Sequence, residues 1–173
     1  MALRFFEKPC GVWGKLTLRF YQHGILLRED LDDNIVVNGG MVQWLQRLHG
    51  ATLVKGVDRV EVGDGGCEET ALYTPISFTA TDTALRTSIN LSANLQADPV
   101  VNVGAKTITF VAVVASALAD PSDFHYTPRV ISEIALKTAS PDNVVVALRA
   151  FKSQIFEPTS SIELEATWTL GLV

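Results

Sequence analysis

The chain has 173 residues, 47% hydrophobic and 19% charged, with a formal net charge of −5. That length suits one domain with a sizeable core, and the composition excludes disorder, which requires few apolar residues and much charge. The acidic balance argues against a nucleic-acid partner, because phosphate binding needs a basic surface.

At the N-terminus, Leu3, Phe5 and Phe6 are interrupted by Arg4, Glu7 and Lys8, so no signal-peptide apolar core forms. The longest apolar run, 110–115, is too short to span a bilayer. The expectation is a protein made in the cytoplasm, with no membrane partner. Residues 15–21 and 25–28 read as strands around His23-Gly24, a hairpin turn. Met41, Val42, Leu45 and Leu48 then fall at helical spacing, with Asn38 placed to cap the first turn and Gly50 to close the last. This predicts one helix over 39–49, laid against a sheet.

The rest of the chain reads as strands. Residues 57–62 run into Gly63-Asp64-Gly65-Gly66, a glycine-rich turn. In 88–95, Ile89, Leu91, Ala93 and Leu95 alternate with Ser88, Asn90, Ser92 and Asn94. In 161–172, Ile162, Leu164, Ala166, Trp168, Leu170 and Leu172 alternate with Glu163, Glu165, Thr167 and Thr169. Both are strands with one wet face. Residues 106–115, 130–136 and 144–151 are more continuously apolar and β-branched, as interior strands are. Pro99, Pro121, Pro128 and Pro141 punctuate the intervals. The predicted fold is mainly β: an antiparallel sandwich or partly open barrel with one short helix. Residues 1–13 form an N-terminal arm and 14–173 a single β-rich domain.

The residues that usually carry chemistry make no constellation. His23, His49 and His125 are too far from one another and from any cysteine for a zinc pattern. Cys10 and Cys67 match no metal or redox spacing; free thiols are expected, with a disulfide as the alternative. The glycines at 63, 65 and 66 fit neither the phosphate-loop nor the dinucleotide fingerprint. Glu61, Asp64, Glu68 and Glu69 cluster in sequence but lack calcium-loop spacing. Trp44 and Trp168 are placed for packing. Glu133 and Arg149, on adjacent predicted strands, are expected to pair. The reading is of a protein that is not an enzyme, with no cofactor and no metal.

A series of short segments carries a resemblance. In order they are Asn34-Ile-Val-Val-Asn-Gly-Gly40, Val60-Glu-Val-Gly-Asp-Gly-Gly66, Thr81-Asp-Thr-Ala-Leu-Arg86, Ile131-Ser-Glu-Ile-Ala-Leu136, Ala147-Leu-Arg-Ala-Phe151 and Leu164-Glu-Ala-Thr-Trp-Thr-Leu170. Together they resemble small structural proteins of tailed bacteriophages and the attachment domain that begins some tail-collar fibre proteins. Ala135 stands where that pattern has glycine, and 73–80 looks like an insertion. The resemblance implies a virion structural protein: a tail, collar or baseplate adaptor, or a head decoration. Its partners would be further copies of itself and other particle proteins. Phe5, Phe6 and Trp13 are the candidate interface anchors on the arm. The alternative is a carbohydrate-binding β-sandwich using Tyr21, Tyr73 and Tyr126.

Overall fold

The computed structural model describes residues 11–50, 55–68 and 71–172. Two five-stranded antiparallel sheets pack face to face, and they do not close into a barrel. The first contains β1 (Val12–Gln22), β2 (Ile25–Asp33), β8 (Val100–Asn102), β9 (Thr107–Ala115) and β12 (Ile162–Leu172), in the order β2-β1-β12-β9-β8. The second contains β3 (Ile35–Val36), β4 (Val57–Gly63), β7 (Ser88–Asn94), β10 (Val130–Thr138) and β11 (Val145–Ile155), in the order β3-β11-β10-β4-β7. A small ribbon of β5 (Cys67–Glu68) and β6 (Ala71–Pro75) completes the strands.

Period-two sequence decides which side chains meet. Register pairs Leu16 with Trp168, Leu18 with Ala166 and Phe20 with Leu164, and β9 adds Phe110, Ala112 and Val114 on the same face. These pack on Val60 and Val62 of β4, Ile89 and Leu91 of β7, and Ile134 and Leu136 of β10. Each of the Val, Leu, Ile and Phe side chains contributes roughly 1.5–3 kcal/mol when removed from water. β10 is apolar on its other face too, because Ala135 joins Val37, Phe78, Val145 and Leu148 in a second cluster. The covering residues Phe78 and Ile76 come from the segment that sequence marks as an insertion. That double burial is why 130–136 reads as a continuous apolar run.

The hairpin at His23-Gly24 is confirmed: both residues have positive φ, 51° and 78°, the combination a tight two-residue turn requires. Gly50 closes the helix with φ 84° and an N–H bond to the Arg47 carbonyl.

The helix itself, α1 (Asn38–Leu48), differs from expectation in two respects. Val37 rather than Asn38 occupies the capping position, and no side chain bonds the first turn. The apolar stripe is also not the face laid on the sheet, since Val42 and Leu45 are exposed. The helix sits instead through Gly40 and Trp44. A Cβ on Gly40 would lie 2.6 Å from the Val146 carbonyl oxygen, so glycine permits a backbone-close seat on β11.

The expected Glu133–Arg149 pair does not form. β10 and β11 are neighbours, but Glu133 is opposite Ala150 and Arg149 opposite Ile134, so the two side chains point to opposite faces. Arg149 reaches the first sheet, donating to the Asp32 carboxylate and, at 2.9 Å, to the Asp33 carbonyl. Arg28 makes a parallel tie, donating to the Asp30 carboxylate and, at 2.8 Å, to the Lys152 carbonyl while covering the Phe20 ring. These two arginines bridge the open side of the sandwich.

Candidate functional site

The densest polar cluster lies where the glycine-rich turn passes over β10. Glu133 is fully buried. Its Oε1 accepts the N–H of Gly65 at 3.2 Å and of Thr87 at 2.8 Å, and its Oε2 accepts the N–H of Arg86 at 2.9 Å. Beside it, the Ser132 hydroxyl donates to the Asp64 carbonyl and accepts from the Gly66 N–H, both at 2.9 Å. One strand thus satisfies the backbone of two separate loops.

The glycines serve space rather than left-handed backbone. None of Gly63, Gly65 and Gly66 has positive φ. A Cβ on Gly66 would meet the Ser132 carbonyl oxygen at 2.1 Å, and one on Gly63 would meet the Thr87 carbonyl oxygen at 2.3 Å. The turn can approach Glu133 only because those side chains are missing.

Asp64, also fully buried, anchors a third segment. Its Oδ2 accepts the backbone N–H of His125 at 2.6 Å, and its Oδ1 lies 3.4 Å from the exposed His125 Nδ1. Burial pushes both carboxyls above the usual carboxylate range. For Glu133 the three N–H donors oppose that shift while the neighbouring Asp64 adds to it; for Asp64 the His125 contacts oppose it. Two raised carboxyls beside a histidine could in principle exchange protons. Neither offers an oxygen to solvent, and five surface hollows are lined by other residues. The cluster acts as a clamp that holds the 63–66 turn, the 86–87 strand entry and the His125 loop on β10.

The other carboxylates of the sequence cluster diverge. Glu61 is paired with Lys137, Glu68 is exposed, and Glu69 lies outside the described residues. Among the described residues no three metal-ligating side chains converge. Cys67 is a buried free thiol, its Sγ 3.3 Å from the Phe151 carbonyl; Cys10 lies outside the described residues. The candidate sugar-binding tyrosines occupy three separate elements: Tyr21 on β1, Tyr73 on β6 against Lys152, and Tyr126 in the β9–β10 loop.

Of the proposed interface anchors, Phe5 and Phe6 lie outside the described residues. Trp13 is the second residue of β1, half-buried and opposite Gly171 of β12. A Cβ on Gly171 would come within 2.4 Å of the indole, so the ring lies on its own sheet. Exposed apolar residues are found elsewhere. Ile25, Leu26, Leu27 and Leu31 lie on β2, and Val100, Val101 and Val103 lie on or beside β8, with Val42 and Leu45 on α1.

The chain matches no protein-family model, no curated protein and no solved structure.

Proposed function

We propose that this chain is a structural subunit of a tailed-bacteriophage particle, acting through protein–protein assembly and not through catalysis. Its place would be in the tail, collar or baseplate, or on the head as a decoration. The observation that carries this reading is the distribution of polarity. The buried carboxylates are spent on backbone clamping, while apolar side chains are exposed along both edges of one sheet. A subunit whose task is to present surfaces to neighbours has this pattern.

The resemblance gives the reading its direction. Three of the segments that carry it, 60–66, 81–86 and 131–136, meet at Glu133, so residues scattered in sequence form one structural unit. Phe5 and Phe6 are the proposed anchors of the N-terminal arm.

The test is whether the protein belongs to the particle. Quantitative mass spectrometry of gradient-purified particles from the host that encodes the chain should find it in fixed proportion to the major particle proteins. Complete, infectious particles that lack it would overturn the proposal.

A further inference from the structure

The loop between β9 and β10 (residues 116–129) is fastened firmly at its two ends and more sparsely between them. At its start Ser116 is fully buried, its hydroxyl accepting the Ile162 N–H at 3.0 Å, and Ala119 joins the core. At its end the Arg129 carbonyl accepts the Phe156 N–H at 3.0 Å. Between these points the partly buried Phe124 rests against the core, and Asn90 donates to the Asp123 carboxylate at 3.0 Å. The tie to a buried group is the His125 N–H on Asp64 Oδ2, at 2.6 Å. Residues 120–128 therefore hang between two fixed ends, with Asp64 as the catch.

That catch belongs to a titratable cluster. Asp64 is fully buried, and its Oδ1 makes no hydrogen bond among the described residues, although the His125 Nδ1 is 3.4 Å away. The next residue, Gly65, donates its N–H to Glu133, so two buried carboxyls are neighbours. Other charges nearby are already engaged. Arg86 turns its guanidinium to Asp82, at 3.2 Å, and to the Phe78 ring, while in the loop Asp120 accepts from Ser122 and Asp123 from Asn90. His125 from the loop and Glu133 from β10 are thus the titratable groups that face Asp64.

Ionising both carboxyls places two like charges together out of water, and an ionised Asp64 holds one oxygen that has no donor. Water reaches them most directly when the outermost element moves away. That element is the loop, whose His125 side chain is already 61% exposed.

We propose that residues 120–128 form a proton-operated flap, latched on Asp64 in acid and released, carrying Phe124 off the core, as the Asp64–Glu133–His125 cluster loses protons. Burial holds both carboxyls above the usual carboxylate range, the direction that the flap requires. The closed form binds those protons more tightly than the open one. Closure is therefore favoured below the ordinary carboxyl range and weakens as pH rises through the raised values. The flap goes beyond the assembly reading and does not depend on it.

Amide hydrogen exchange of the intact protein tests the flap, at about pH 4 and about pH 8 so that the ordinary carboxyl and histidine ranges are bracketed. Protection is taken relative to the unstructured rate at each pH. The His125 amide should lose protection at the higher pH, by on the order of tenfold for each pH unit that closure adds to a carboxyl. Amides at the centre of β12, such as that of Trp168, should lose less. Asp64→Asn keeps an acceptor for the His125 N–H and supplies a donor beside Nδ1, but cannot ionise. Its His125 amide should stay protected at both pH values, with circular dichroism checking the fold.

Protection at His125 that is constant, or that rises with pH because an ionised carboxylate accepts more strongly, would overturn the flap. An equal fall at His125 and in β12 would make the opening global and overturn it too. So would the same fall in wild type and Asp64→Asn, which would place the responsible proton elsewhere. Should Asp64→Asn fail to fold, the wild-type comparison of His125 with β12 decides alone.

Discussion

Replacing Glu133 with alanine removes the shared acceptor of three backbone N–H groups, those of Gly65, Arg86 and Thr87. A buried donor left unpaired costs roughly 1–3 kcal/mol, so three set an upper bound of about 9 kcal/mol. Two effects reduce it. Water can enter the vacated space and bond some of the donors. Burial also already penalises the carboxylate, as its raised pKa shows, so its removal recovers part of that cost. The expected loss is about 3–4 kcal/mol, a large share of the roughly 5–15 kcal/mol that holds a domain folded. At about 2–4 °C per kcal/mol for a chain of this size, the melting midpoint should fall by roughly 10 °C.

Glu133→Gln makes the reasoning sharper. One amide oxygen can still serve Gly65 and Thr87, which share Oε1, but the amide nitrogen then faces the Arg86 N–H as donor against donor. The loss should be intermediate, about 1–2 kcal/mol. Urea unfolding followed by circular dichroism gives both values, and hydrogen exchange at Gly65, Arg86 and Thr87 reports the clamp locally. An alanine variant within about 0.5 kcal/mol of wild type, with those amides still protected, would refute the clamp.

Three further outcomes follow from the same geometry. Gly66→Ala should destabilise by about 2–4 kcal/mol in a thermal melt, because its Cβ would fall 2.1 Å from the Ser132 carbonyl oxygen and the turn must move. Asp64→Ala should cost about 2 kcal/mol through the lost bond to the His125 backbone. His125→Ala should cost less than about 1 kcal/mol, since that side chain is 61% exposed and the backbone makes the bond. The raised carboxyls also set a pH dependence. The folded protein holds the protons of Asp64 and Glu133 more tightly than the unfolded chain does. Their contribution is complete below the ordinary carboxyl range and is lost as pH rises through the raised values. Wild-type stability relative to Glu133→Gln should therefore fall as pH rises from the ordinary carboxyl range through the raised Glu133 value. A constant or rising difference, measured by urea unfolding across that range, would contradict the raised Glu133.

Sequence alone determined most of the longer strands, because period two is a local property of a half-buried sheet, but not the short β3, β5, β6 and β8. Residues 88–95 and 161–172 declared both their strand and their inward face, and His23-Gly24 declared its turn. The continuous run at 130–136 declared an interior strand, although not what covers its second face. That cover, Ile76 and Phe78, carries no periodic signal. Helical spacing found α1 but assigned it the wrong face. Its seat depends on Gly40, whose contribution is the absence of a side chain against Val146.

The candidate surfaces were decided by tertiary structure for the same reason. Strand order cannot be read from periodicity, so nothing local says that β2 and β8 are opposite edges of one sheet. Glu133 was visible as a charged residue in an apolar strand, but its partners are backbone amides, which every residue except proline has and no sequence pattern distinguishes. Local chemistry fixes which residues form strands and turns. Which strands become edges, and which loop a buried carboxylate holds, depends on where distant segments meet.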